Sequence, residues 1–517
     1  MPIQLSPEQQ AAKAALGPLL DAASEVRLGV LKGWAGTGKT FLVAHLIADL
    51  IEEGWEVKLL TPTGRASEVL GRHMERQLEA GGVAERVQSQ TIHSFIYEMQ
   101  PADFNVEQLS LFADLKSHDW NEEPTLWIVD ESSMVGDKPY KDEEEDKDLR
   151  FGTGSLLGDL LECAEIDPAN NVRILFVGDA GQLPPIRAND LACPALDVEA
   201  LRKQLPASLQ NAPIVEAELT EVKRQEAGSL LEFVTDVRRA MESGQFLPID
   251  AREKVRPLDE EHLVAKYNDL TDAGDQPSRT VILTHTNQRV AEFNRVIRQS
   301  LGRDLRLLHR DDILLVKRNQ RVMDFGELEM GFEAAPLRNG SFVQIIGEPI
   351  EDREANIAVK GQSEPVRLEF WRARVRTLQW EDEAPREFDV TVFASRLRLR
   401  DRPALQSYEQ ALFIDLQQRL KSRCGLSPKS PGQDGYEEYK RRVESDTYFN
   451  ALRVDYGYAV TVHNSQGGEW PAVIVDPASN RAREWQNSAA HRRSYAQWVY
   501  TAITRAREEV WCLRPNA

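Results

Sequence analysis

Residues Gly33 to Thr40 read GWAGTGKT, and this stretch decides the fold. It fits G-x-x-x-x-G-K-[ST], in which backbone N–H groups cradle phosphates, the lysine reaches the terminal phosphates and the hydroxyl residue holds Mg2+. Gly33, Gly36, Thr37, Gly38, Lys39 and Thr40 are therefore the expected phosphate-binding set, with Lys39 catalytic and Thr40 a metal ligand. Upstream, the apolar run from Val26 to Leu31 predicts a buried strand. Downstream, apolar residues recur at helical spacing from Phe41 to Glu53 until Gly54 stops them. Strand, loop and helix in that order predict an α/β domain that binds a nucleoside triphosphate.

Hydrolysis also needs a metal-linked carboxylate and a group acting on water. The segment LWIVDESSM supplies both: Leu126 to Val129 predicts a strand, Asp130 at its end can hold Mg2+, and Glu131 can act on the attacking water. A third apolar run, VRILFVGDAGQLPPI from Val172, ends in Gly178-Asp179 and a rigid loop whose Pro184-Pro185 pair forbids helix and ladder pairing. Gln182 on that loop lies where open α/β sheets hold ligands, placed to sense a γ-phosphate.

At 517 residues the chain is too long for one core, and 41% hydrophobic with 28% charged residues describes a soluble multidomain protein. No apolar run approaches the roughly eighteen residues of a membrane span, and MPIQLSPEQQ lacks the regions of a signal peptide, so a cytoplasmic chain without a membrane partner is expected. Cys163, Cys193, Cys424 and Cys512 lie far apart and predict reduced, packed thiols rather than disulfides or a zinc site. The net charge of −20 argues against unselective binding of polyanions. Acidic runs at Lys141 to Asp148 and Glu381 to Glu387 read as solvated loops, while basic clusters begin at Lys317, Trp371 and Arg396. No internal repeat is evident.

The ordered set of Gly33 to Thr40, Asp130-Glu131 and GDAGQLPP resembles superfamily 1 helicases, and further motifs follow in the expected order. LSPEQQAA resembles the motif in which Gln9 would bond the adenine edge. TPTGRAS and TIHS resemble strand-contacting motifs, LTEVKRQ would place Arg224 on the γ-phosphate, and YAVTVHNSQGGEW and YTAITRAREEV would close the second motor domain with Arg505 as a second finger. The resemblance spans almost the whole chain and is nearest to the Dda and RecD type through LTEVKR, FNRVIR and LRNGSFVQII. It implies ATP and Mg2+ as cofactors, Glu469 near the ribose, and DNA contacts from Thr63, Thr91, His93, Thr461, His463 and Asn464. It also implies a monomer moving 5′ to 3′ on single-stranded DNA and forks, alongside other replication or recombination proteins. Asn464 stands where many relatives carry lysine, and Lys223 where many carry an aromatic before the finger.

Two RecA-like motor domains with an inserted SH3-like β-barrel and helical-hairpin tower are expected. The first motor would span 1–225 with an insertion at 96–123; the second would take 226–346 and 454–517. The barrel and hairpin would occupy 347–453, where RLEFWRARVRTLQW and FDVTVFA alternate like antiparallel strands and two helical stretches follow. The insertion carries Phe104 and Phe112 among polar neighbours, and reads either as a packed connector or as a pin that stacks on an unpaired base. Three functions fit: a DNA helicase, a protein-displacing translocase or recombination subunit that does not unwind alone, and a nucleotide-gated scaffold without turnover.

Overall fold

A computed structural model describes residues 4–78, 87, 89–99, 112–116, 123–140, 150–166, 170–185, 192–206, 209–222, 229–243, 255–304, 307–319, 337–378, 385–398, 402–429, 433–477 and 489–514. Its first sheet has six parallel strands, in the spatial order Ser89–Thr91, Glu56–Thr61, Thr125–Val129, Val172–Gly178, Leu28–Gly33, Ile214–Leu219. The near-continuous apolar runs are what a parallel sheet covered on both faces requires. Alternate residues feed opposite cores: Val30, Trp127, Val129, Ile174 and Phe176 pack on one side, and Leu31, Leu126, Ile128, Leu175 and Val177 on the other. The strand before the phosphate loop is Leu28–Gly33 and the helix after it Lys39–Glu52, close to the sequence expectation.

A second parallel sheet runs in the order Val255–Asp259, Ala506–Arg514, Trp470–Val475, Thr280–Thr284, Ala459–Thr461. Its core takes the helix Ala489–Ile503 through the buried Trp498, Val499, Tyr500 and Ile503. The sheets are alike at one edge. Glu56–Thr61 and Ser89–Thr91 in the first correspond to Thr280–Thr284 and Ala459–Thr461 in the second, and each of these four strands runs into a helix capped by threonine. Within this likeness TIHS at Thr91 matches TVHN at Thr461, a repeat too short to stand out in the sequence.

A third sheet is antiparallel. Val366–Thr377 pairs with Ile350–Ile357 and Phe342–Ile345 and with Glu387–Phe393, and Ile313–Val316 lies between Phe342–Ile345 and Val454–Tyr456. It curls until its margins meet, where Leu452 N–H donates to the Thr391 carbonyl (2.7 Å) and Phe393 N–H to that of Leu452 (3.1 Å). The curl recruits Ile313–Val316, Phe342–Ile345 and Val454–Tyr456 from either side of the expected 347–453 segment. Short apolar runs do not disclose which sheet they join.

The helices Arg402–Cys424 and Tyr436–Glu444 lie against this sheet, burying Leu412, Leu416 and Tyr439 with Leu368, Phe370 and Phe393. Arg353 is bidentate to Asp415 (2.9 and 2.5 Å), and Arg419 bridges Asp415 and Asp446. The helix pair is thus docked at its base by both apolar and ionic contacts.

Tyr97–Met99 and Phe112–Leu115 form an antiparallel hairpin within the 96–123 insertion, extended by Arg150–Phe151. Among the described residues, no helix is long and apolar enough to cross a membrane. Cys163, Cys193 and Cys512 are buried and not joined in disulfides, and Cys424 is exposed.

Candidate active site

The first helix, Pro7–Leu20, begins with a capping box: Gln9 N–H donates to Ser6 Oγ, and Ser6 N–H to Gln9 Oε1 (3.0 Å). That pairing turns the Gln9 amide toward the phosphate loop, where Nε2 donates to the carbonyls of Thr37 and Gly38 (both 3.4 Å). Gly38 has φ 80°, and a Cβ there would lie 2.6 Å from Gln9 Nε2, so glycine serves both the backbone turn and the close approach. Gly36 also has positive φ. Gly33 ends the strand, Thr37 Oγ1 donates to the Trp34 carbonyl (2.9 Å), and Thr40 lies in the first turn of Lys39–Glu52. Lys39 Nζ donates to the carbonyls of Gly33 (2.9 Å) and Trp34 (3.1 Å).

Asp130 and Glu131 follow the strand two places away in the same sheet, so both reach the edge that carries the loop. Burial, and then the neighbouring Glu131, push the Asp130 carboxyl up to about 6, against the pull of its bond from Glu131 N–H (2.9 Å) and of the Lys39 charge. Glu131 sits at φ 51°, a left-handed conformation unfavourable for a side chain with a Cβ. Gln182 is buried and its Oε1 lacks a hydrogen-bond partner, while its N–H donates to the Asp179 carbonyl (3.0 Å).

The second sheet meets this edge directly. Tyr500 OH donates to Asp179 Oδ2 (2.6 Å) and accepts from Ala35 N–H (3.0 Å), and Leu183 N–H donates to Thr501 Oγ1 (2.9 Å). Arg505, just beyond the same helix, is buried, with its guanidinium turned to the Thr501 carbonyl (3.2 Å), the Gly468 carbonyl (3.3 Å) and Thr504 Oγ1 (3.3 Å). Glu469 receives Arg507 (2.9 Å). Arg224 and Lys223 lie outside the described residues.

The expected DNA-contacting threonines share one local role. Thr63 Oγ1 accepts from Ala66 N–H (3.2 Å), Thr91 from Ser94 N–H (3.2 Å) and Thr461 from Asn464 N–H (3.3 Å). Each caps a helix at or just past the end of a parallel strand, so each helix N-terminus lies at the C-terminal end of its strand. His93 stacks edge-on with Phe151 (4.8 Å), and burial lowers its pKa to about 4. Burial does the same to His463, helped by nearby His285. Phe104 lies outside the described residues, and of Phe112 only the backbone is described.

Sequence reading missed Thr286, which caps Asn287–Ser300 by accepting from Arg289 N–H (3.3 Å) at the position matching Thr63. It also missed Tyr500, Asp179 and Gln466, whose buried Nε2 lacks a hydrogen-bond partner. Thr286 alone had a local signal, a threonine after the apolar run Thr280 to Thr284.

Residues 4–142 match a family described as an AAA domain, and residues 456–513 one described as a UvrD-like helicase C-terminal domain. The chain is 32% identical over 213 residues to an ATP-dependent RecD2 DNA helicase of Deinococcus radiodurans, a match covering 40% of this chain and 21% of that protein. It is 29% identical over 240 residues to an uncharacterized protein of Methanocaldococcus jannaschii, covering 45% and 16%. The chain thus spans about a fifth or less of the length of these curated relatives. Among solved structures it is similar to that of a Pif1 helicase from Candida albicans, at 16% identity and TM-score 0.44 over 99% of this chain and 95% of that one.

Proposed function

We infer that this chain, a superfamily 1 helicase of the RecD type, hydrolyses ATP between its two parallel sheets and uses the cycle to move along single-stranded DNA and separate duplex. One observation carries the reading. The phosphate loop and the Asp130-Glu131 pair share one sheet edge, and the helix leading to Arg505 reaches that edge from the other sheet. Lys39 would exchange its loop carbonyls for terminal phosphate oxygens, Glu131 would take the proton of the attacking water, and Gln182 would bond the γ-phosphate with its free oxygen side facing that water. Arg224 and Arg505 would steady charge developing on the phosphoryl oxygens, a contribution worth roughly 10³–10⁵ in rate for such fingers.

Thr40 and Asp130 fit Mg2+, which favours oxygen donors, keeps several waters and is commonly held by one or two protein oxygens plus phosphates. Asp130, whose carboxyl is pushed up to about 6 by desolvation and by Glu131, is the kind of carboxylate that a cation would relieve. Among the described residues no group of three or more His, Cys, Asp or Glu side chains is placed to hold a metal, in keeping with a cation carried chiefly by nucleotide. When bound, Mg2+ neutralises charge on the phosphates.

The helix N-termini capped by Thr63, Thr91, Thr286 and Thr461 offer backbone N–H groups along one edge, a surface suited to successive backbone phosphates. His93 and His463, kept neutral, would contact the strand as uncharged rings, and Asn464 as a hydrogen-bonding amide. Glu469 is our candidate for the ribose and Gln9 for the adenine edge. The 5′ to 3′ direction follows from the family resemblance. The curled antiparallel sheet is read as the SH3-like barrel, the docked helix pair as the tower, and the two parallel sheets as the cores of the motor domains.

A 5′-tailed fork tests the reading. Wild type should unwind it with ATP, and Phe104→Ala or Phe112→Ala should reduce unwinding far more than DNA-stimulated turnover. Unwinding only from a 3′ tail would overturn the polarity, and equal losses in both activities would return the insertion to a packed connector. Turnover stimulated by DNA without strand separation would leave a translocase.

A further inference from the structure

The Tyr500 hydroxyl is wholly buried and has both hydrogen-bonding roles filled by segments far from it in sequence. It accepts from Ala35 N–H, in the middle of the phosphate loop, and donates to the Asp179 carboxylate of the GDAGQLPP loop. Asp179 Oδ1 in turn accepts from Gly181 N–H (2.9 Å) and faces Arg238 Nε at 3.7 Å. Arg238 lies over the Trp34 ring at 5.7 Å, which closes a circuit back to the phosphate loop. Tyr500 belongs to the second sheet's helix, whereas Ala35 and Asp179 both follow strands of the first. Five residues further along the chain stands Arg505.

We propose that Tyr500 is a positioning residue that ties the phosphate loop to the Asp179–Gln182 loop across the two sheets, so that the loop's state and the placement of Arg505 change together. The proposal deepens the ATPase reading and rests on it. The geometry leaves the phenol little freedom. Its single proton goes to a carboxylate, a charge-assisted bond stronger than a neutral one, and its oxygen fixes a backbone N–H beside the phosphate-binding turn. Tyr500→Phe keeps the ring in the core and removes only the bridge. Ala35 N–H and Asp179 Oδ2 then lose their shared partner. The phosphate loop can still bind nucleotide through its other N–H groups, but it no longer reports to the second sheet.

Two measurements on the full chain decide the matter. In hydrogen exchange without nucleotide, the peptide containing Ala35 should exchange about fivefold or more faster in Tyr500→Phe, because its amide has lost its acceptor while the rest of the first sheet is unchanged. In steady-state turnover with saturating single-stranded DNA, kcat should fall about tenfold, the size of one lost bond to a charged group, while affinity for a fluorescent ATP analogue changes less than about threefold. Tyr500→Phe combined with Asp179→Asn should be no slower than the worse single variant, since both break one bridge. Wild-type exchange at the Ala35 peptide, or kcat and affinity falling in parallel, would overturn the proposal. A wild-type chain that turns over no ATP would instead defeat the functional reading, and the exchange measurement would still decide the bridge.

Discussion

The Arg65 guanidinium of the first sheet's helix lies over the Trp470 ring of the second sheet, 4.5 Å from its centroid, and 4.9 Å from that of Phe342 of the curled sheet, the two rings themselves meeting edge to face at 5.8 Å. Gly468 makes room for it, since a Cβ there would lie 2.3 Å from the guanidinium carbon. Burial is the main reason its pKa falls to about 9. The three sheets thus meet at one cation that contacts two aromatic rings, and it belongs to the TPTGRAS segment that also supplies Thr63.

A desolvated cation–π contact of this kind contributes roughly 2 kcal/mol, and a lysine lacks the planar guanidinium that spans both rings. Arg65→Ala should lower the thermal midpoint of the nucleotide-free chain, Arg65→Lys should restore it only in part, and Arg65→Ala with Trp470→Ala should be less damaging than the sum of the two. Strict additivity in the double variant would show that this contact does not hold the sheets together.

Asp130 should weaken the resting protein that it serves. Its folded-state pKa is raised from 3.8 to about 6, so between those values the folded chain binds more protons than the unfolded one, and stability falls as pH rises through the window. Above about 6 the ionised carboxylate is a full cost. Asp130→Asn should therefore be more stable than wild type at pH 7.5 without Mg2+ or nucleotide, by about 1–3 kcal/mol, with the gain vanishing below about pH 4. An Asn variant no more stable than wild type at pH 7.5 would refute this.

His93 and His463 have the opposite linkage. Their folded-state pKa values are lowered from 6.5 to about 4, so the unfolded chain takes up more protons in that window. Their contribution is complete above about 6.5 and is lost as pH falls toward 4. His93→Asn and His463→Asn should each flatten the dependence of the unfolding midpoint on pH between 4 and 6.5. An unchanged slope would mean that the imidazoles titrate normally in the folded chain.

Much of the first sheet was legible in the sequence, because its buried strands are continuous apolar runs that end in residues with chemistry: Gly33 before the loop, Asp130 after Val129, Asp179 after Gly178. The third sheet was legible only in its alternating strands Val366–Thr377 and Glu387–Phe393. Ile313–Val316 reads as an apolar run of either kind of sheet, and its antiparallel partners are set by tertiary packing. Tyr500 had no local signature, since its bond to Ala35 joins positions 465 residues apart. Gln9 stood out in the sequence as a candidate, but its dual engagement with the helix cap and the loop carbonyls depends on the closed turn.

ATP turnover by wild type and Glu131→Gln, with and without saturating single-stranded DNA, bears most directly on whether this fold is an ATP-driven motor stimulated by DNA. Glutamine keeps the size and the φ 51° backbone of the site but cannot take a proton. Wild type should hydrolyse ATP and be stimulated by the DNA, and Glu131→Gln should bind a fluorescent ATP analogue as wild type does while turning over about 10²–10⁴-fold more slowly. Turnover by Glu131→Gln near the wild-type rate, or wild-type turnover indifferent to DNA, would contradict it.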